Sequence, residues 1–165
     1  MTPPLDPEAP PTLDPGALFG PYRIVRLLGR GGMGTVYEAE AAADGRRVAL
    51  KVLPQANTDP DLRMRFLREG QLAAALNHPN TVYIYGTGEA EGALYIAMEL
   101  VAGGTLGERV EKHGPLPIAD AIEYAIQIVD GLAAAHALGI LHRDIKPPNL
   151  FGSSGIGVAA FTGRA

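Results

Sequence analysis

The chain has 165 residues, room for one domain and a tail, and its 47% hydrophobic and 19% charged content is that of a globular protein rather than a disordered one. A formal net charge of -4 leaves no surplus of cations for a phosphate backbone, which argues against nucleic acid as a partner. With no Cys, disulfides, thiolate chemistry and Cys-type zinc sites are excluded, and the cytoplasm is the expected compartment.

Residues 1–21 hold seven prolines, three acids and no Lys or Arg, so this stretch is expected to form a disordered tail. Its start, Met1-Thr2-Pro3-Pro4, has neither the basic region nor the apolar run of a signal peptide. From Tyr22 the texture becomes β-rich. Strands are predicted over 22–28, 35–41 and 47–53, with a turn at Asp44-Gly45. Asp59-Pro60 reads as an N-cap followed by a helix-opening proline, and the helix should run to residue 76, where Asn77-His78-Pro79 stops it. Two more strands, 82–88 and 93–98, are joined across Glu91-Gly92.

After Met98 the pattern turns helical. Val101-Ala102-Gly103-Gly104 reads as a flexible connector into a short helix over 105–112. Pro117 opens a helix over 118–138 in which Ile118, Ala121, Ile122, Ala125, Val129, Leu132, Ala133 and His136 share one face, and Gly139 closes it. Asp120, Glu123, Gln127, Asp130 and His136 interrupt its apolar run, so it is expected to be a core helix and not a membrane span. Residues 152–165 contain no acid and show no helical or strand period, and an irregular end is expected.

Three clusters carry chemistry. Residues 29–36, Gly-Arg-Gly-Gly-Met-Gly-Thr-Val, fit G-x-G-x-x-G-x-V, in which glycines let backbone N–H groups approach a polyphosphate. A glycine-rich hairpin without a ligand would show the same run. A strand on either side distinguishes it from dinucleotide fingerprints and P-loops, which lead into a helix. Second, Val48-Ala49-Leu50-Lys51 sets an ammonium in an apolar strand, where it needs an anionic partner. Glu69 is the candidate, because Leu62, Phe66, Glu69, Ala73 and Leu76 form one helical stripe. Either residue taken alone could equally be a snorkelling surface charge. Third, the run from His142 to Asn149 gathers Asp144, Lys146 and Asn149 on one proline-stiffened loop: a proton acceptor, a cation and a metal-binding amide. His136 and His142 lack a third ligand at zinc spacing and read as packing or hydrogen-bonding residues.

In order and spacing these elements resemble the eukaryotic-like Ser/Thr protein kinases of bacteria, over about residues 22–151. The resemblance implies an α+β, two-lobed fold with a complete N-lobe, a five-stranded antiparallel sheet plus one helix, and a partial helical C-lobe. It implies ATP and Mg²⁺ as cofactors and a protein Ser or Thr hydroxyl as acceptor, with no implication for oligomeric state. Leu28 and Val36 would roof the nucleotide above Gly29, Gly31 and Gly34. Ala49, Met98 and Phe151 would surround the adenine, and backbone groups of Glu99 and Val101 would bind its edge. Lys51, held by Glu69, would contact the α- and β-phosphates. Asp144 would accept the substrate proton, Lys146 would steady the γ-phosphate and Asn149 would hold one Mg²⁺.

The resemblance breaks after this loop. No Asp or Glu occurs from Ile145 to Ala165, so the family's Asp-Phe-Gly carboxylate is missing, and a weak alignment on Phe161 sets Ala160 in its place. The pattern therefore reads as a kinase truncated after the catalytic loop, and the apolar face of the 118–138 helix is expected to lack its usual cover. The competing readings are an inactive nucleotide-binding or protein-interaction module and, disfavoured by Lys146, a small-molecule phosphotransferase.

Overall fold

The computed structural model describes residues 12–31, 34–54, 60–152 and 157–158. They fall into two units: one has the described residues up to Gln71 together with Tyr85–Leu100, the other has Leu72–Ile84 and the described residues from Val101 onward.

The first unit is built on a six-stranded sheet in the order β1-β2-β3-β4-β6-β5, comprising β1 (Leu18–Phe19), β2 (Tyr22–Gly31), β3 (Gly34–Ala41), β4 (Arg47–Val52), β5 (Ile84–Ala90) and β6 (Ala93–Glu99). The five expected strands are present. The Glu91-Gly92 turn between β5 and β6 takes positive φ at both residues, 50° and 76°, which matches the twist of a tight hairpin. Strand β4 pairs antiparallel with β3 and β6, so Val36 faces Lys51 and Ala49 faces Met98. Because side chains alternate, Val36, Ala49, Lys51 and Met98 share one face of the sheet. The opposite face carries Tyr37, Ala39, Val48, Leu50, Val52 and Ala97, which form a buried cluster with Phe19, Ile24, Ala93 and Tyr95.

The sixth strand corrects the expectation of a disordered tail over 1–21. Residues 1–11 lie outside the described set, but Leu18–Phe19 pairs with β2, and the amide of Leu13 donates to the Tyr37 hydroxyl at 3.1 Å. Phe19 is fully buried, edge-on to Tyr95, and Leu13 and Ala17 pack on the same cluster. Composition averaged over the stretch hid these few apolar residues, and their burial offsets the ordering cost that the prolines would otherwise leave unmet.

Helix α1 (Pro60–Ala74) begins at the expected proline, while Asp59 lies outside the described residues. Its covered side runs through Phe66, Gly70 and Ala73, and Glu69 is only half-buried. The expected stripe is covered at Phe66, Ala73 and Leu76 and half-covered at Glu69, and Gly70 lies beside it. Any side chain there would overlap Thr87 of β5, so the sheet closes on the helix at that point. An Arg63–Glu89 ion pair fastens the same contact.

The second unit contains α2 (Leu106–His113) and α3 (Ile118–Ala137). Thr105 and Glu108 form a reciprocal capping box at the start of α2, with Glu108 N to Thr105 Oγ1 at 3.1 Å and Thr105 N to Glu108 Oε2 at 2.9 Å. The connector before it is ordered, since Thr105 bridges Phe151 and the Gly152 amide donates to the Gly104 carbonyl. The apolar stripe of helix α3 is mostly exposed, as expected of a face without its usual cover. Its buried residues are Tyr124, Gly131 and Ala135, with Ile128 and Leu132 packed beside Leu106 and Leu150, whereas Ile118 is 81% and Val129 61% exposed. The helix is apolar around most of its circumference, so period alone does not choose a side. Tyr124, hydrogen-bonded to Arg109, and Gly131, seated on the Asn80 carbonyl, make the choice. Strand β7 (Leu150–Phe151) pairs antiparallel with β8 (Gly157–Val158), and β8 falls inside the stretch 152–165 expected to be irregular. Two residues per strand are too few to show a period. No helix among the described residues is long and apolar enough to cross a membrane.

Candidate active site

The glycine-rich hairpin spans the ends of β2 and β3, with Gly29 opposite Val36, Arg30 opposite Thr35 and Gly31 opposite Gly34. Its glycines have different causes. Gly34 has φ 120°, and a side chain there would overlap the Val52 carbonyl, so packing against β4 requires it. Gly29 and Gly31 have ordinary φ, and a Cβ on either meets nothing within 4 Å among the described residues. The fold itself tolerates side chains at those two positions.

On the face shared with Val36, Ala49 and Met98 are buried directly opposite each other and offer a flat apolar wall, and Lys51 is half-buried beyond them. Leu28 is more than one-third exposed where β2 and β3 lose register, and Glu99 is exposed opposite Val48. Both members of the expected Lys51–Glu69 pair are half-buried, Lys51 on β4 and Glu69 on α1. In the second unit Val101 and Phe151 are both half-buried.

The loop after α3 assembles as the sequence suggests. His142 is buried, and its Nδ1 accepts from the Asp144 amide at 3.2 Å, while His136 is exposed. Arg143 takes φ 61°, a left-handed conformation that costs a non-glycine residue about 1–3 kcal/mol and reverses the chain so that Asp144 turns back toward the loop. Lys146 Nζ lies 3.0 Å from Asp144 Oδ2, and Asn149 Nδ2 donates to the same oxygen at 3.1 Å and to the Asp144 carbonyl at 2.9 Å. Pro147 and Pro148 hold the turn between them, closed by Asn149 N to Lys146 O at 2.9 Å. A cation and an amide nitrogen on one carboxylate oxygen fix the direction of the carboxylate.

The donor set for a metal is thin. With its nitrogen committed to Asp144, Asn149 offers one neutral amide oxygen. Among the described residues no group of three His, Cys, Asp or Glu side chains gathers around a metal position, and no acid follows Asp144 in the sequence. The residues present do not fit a fully ligated Mg²⁺. Ala160 and Phe161, aligned with the missing motif, lie outside the described residues.

One charged group was not anticipated. Glu38 on β3 is buried, and its carboxylate accepts from Arg26 Nε at 2.6 Å and from Arg47 Nη2 and Nε at 2.7 and 3.2 Å. The hydrogen bonds from Arg47, and after burial's opposing effect those from Arg26, hold its carboxyl below the usual carboxylate range. A Glu between Tyr37 and Ala39 with arginines on both flanking strands was the available signal, and it needed the strand register to be read.

A glycine-rich antiparallel hairpin, a lysine strand behind it and a His-Arg-Asp loop with Lys and Asn define the class of protein kinase domains. The model of the protein kinase domain family matches residues 22–156, and the chain belongs to that family. It is 46% identical over 140 residues to the serine/threonine-protein kinase PknE of Mycobacterium bovis, covering 84% of this chain and 25% of that protein. It is 43% identical over 136 residues to PknH of the same organism, covering 82% and 23%. A crystal structure of the Mycobacterium tuberculosis PknI kinase domain superposes with a TM-score of 0.85 at 35% identity, covering 93% of this chain and 63% of that one. The chain thus spans about a quarter of the length of the curated relatives it matches.

Proposed function

We propose that this chain carries the nucleotide-binding elements and the catalytic loop of a Ser/Thr protein kinase, with ATP as phosphoryl donor and a protein Ser or Thr hydroxyl as acceptor. The observation that carries the reading is the convergence of Lys146 and Asn149 on one oxygen of Asp144. Asp144 orients the acceptor hydroxyl and takes its proton as the oxygen attacks. Lys146, 3.0 Å away, neutralises charge that builds on the transferred group. Val36, Ala49 and Met98 give the adenine one apolar wall, with Leu28 and Glu99 at its margins, and Val101 and Phe151 are adenine contacts by family resemblance. Lys51 binds the phosphates, and the unobstructed backbone at Gly29 and Gly31 lets them approach. A net charge of -4 favours a protein over a nucleic acid as the acceptor, and the cytoplasm supplies the nucleotide.

A second reading, a nucleotide-binding or protein-interaction module without transfer activity, is favoured by the absence of any acid from Ile145 to Ala165. Titration with a fluorescent ATP analogue, with and without Mg²⁺, separates the possibilities. Saturable binding abolished by Lys51→Met supports both readings, and phosphoryl transfer abolished by Asp144→Asn supports only the first. A chain that binds no nucleotide would overturn the first and leave of the second only a protein-interaction module.

A further inference from the structure

Strands β2 and β3 lose register twice. Ile24 faces Ala39 and Arg26 faces Glu38, so Val25 is an extra residue; Leu27 faces Tyr37 and Gly29 faces Val36, so Leu28 is another. Between the two bulges only Arg26 and Leu27 pair across the ladder before the glycine-rich tip begins. A bulge disrupts its local ladder, and one that migrates by a residue reverses which face the following side chains occupy. A short paired stretch between two bulges is where such slippage is least opposed by the backbone, and it lies immediately before Leu28 and Gly29.

Glu38 sits in that stretch. Its side chain is 9% exposed, and Arg26 reaches it from β2 while Arg47 reaches it from β4. By register it is opposite Ala49 and two residues along from Val36, on the same face as the proposed adenine wall. The arginines are 64% and 47% exposed, so the carboxylate is the fixed centre and the cations close over it. Sliding β2 by one residue would carry Arg26 off Glu38 and leave a largely buried carboxylate with one arginine in place of two.

We infer that Glu38 is a positioning residue, pinning the β2–β3 register so that the glycine-rich hairpin presents its backbone to a nucleotide. The inference rests on the hairpin being the nucleotide lid, as proposed above. A cross-strand ion pair with a purely stabilising role would slow opening of the whole sheet; a register pin acts on the hairpin and, through it, on nucleotide affinity.

The test combines amide hydrogen exchange with titration by a trinitrophenyl-ATP probe on the wild-type chain, Glu38→Gln, Arg26→Met and the control Glu40→Gln. Arg26→Met cuts only the arm to β2 and keeps Glu38–Arg47, so it serves where Glu38→Gln fails to fold. The expected result is exchange about tenfold faster at residues 27–31, with that at residues 48–52 changed by less than about threefold. Probe affinity should fall about five- to tenfold in both variants, and Glu40→Gln should match the wild type on both measures. Equal acceleration across β2, β3 and β4, or faster hairpin exchange with unchanged affinity, would overturn the proposal. If the wild-type chain binds no probe, the nucleotide reading and this positioning role both fall, while the exchange pattern still decides whether Glu38 sets the register.

Discussion

Asn149 donates its amide nitrogen to both the side chain and the backbone carbonyl of Asp144, at 3.1 and 2.9 Å, so one side chain fixes the direction of the carboxylate and the turn that bears it. Asn149→Ala should therefore destabilise the chain by about 1–2 kcal/mol, the cost of leaving a partly buried acceptor pair unmade. Urea denaturation reads this directly. A midpoint unchanged from wild type would mean that the two prolines hold the loop without the amide.

Gly131→Ala sets two effects against each other. In a helix interior alanine is favoured over glycine by about 1 kcal/mol, but a methyl group here would overlap the Asn80 carbonyl oxygen, which is backbone and cannot rotate away. Overpacking of this kind costs about 1–3 kcal/mol, so a net loss of stability is expected. A thermal midpoint above the wild type's would show that the turn bearing Asn80, closed by Thr81 N to His78 O at 3.0 Å, can move off α3.

Glu38 makes stability depend on acid. Its folded carboxyl titrates below the ordinary 4.5, chiefly through the hydrogen bonds from Arg47, so its contribution is complete above that value and is lost as pH falls through the depressed folded value. The stability gap between wild type and Glu38→Gln should be widest near neutrality and close in strong acid. Denaturation series at several pH values measure it, and a gap that does not narrow would mean the ion pairs contribute nothing beyond the shape of the side chain.

Phosphoryl transfer by this chain should stand close to background. Electrostatic stabilisation dominates this chemistry, and loss of the anionic metal ligand is expected to cost several kcal/mol, on the order of hundreds-fold in rate. Radiolabelled transfer to a generic basic protein, compared with Asp144→Asn, is the measurement. Strong transfer that the substitution abolishes would show that a carboxylate from elsewhere completes the metal site.

The five expected strands, the three helix starts and the Asp144 loop were legible because local chemistry dictates them: Glu91-Gly92 turns, Thr105 caps, and Pro147 and Pro148 stiffen. What the sequence hid depends on which of several acceptable surfaces meets its neighbour. Ile122 and Ile128 are equally apolar, and only Tyr124 and Gly131 decide that the side bearing Ile128 is covered. The contact of Gly70 with Thr87 was hidden too, because a glycine leaves no mark in an apolar period. The Glu38 clamp required knowing that β2 carries two extra residues, and bulges leave no periodic trace.

The burial of Phe19 has a bearing on where the folding unit starts. The family match opens at Tyr22, three residues after a phenylalanine with no solvent exposure, and the Leu13 amide reaches further back still to cap Tyr37. A cut made at the family boundary would leave an aromatic-sized hole beside Ile24 and Tyr95 and bare a greasy patch to solvent. A protein trimmed at residue 22 would suffer in solubility from that hole, whatever the quality of its nucleotide site, and residue 12 is the safer place to begin.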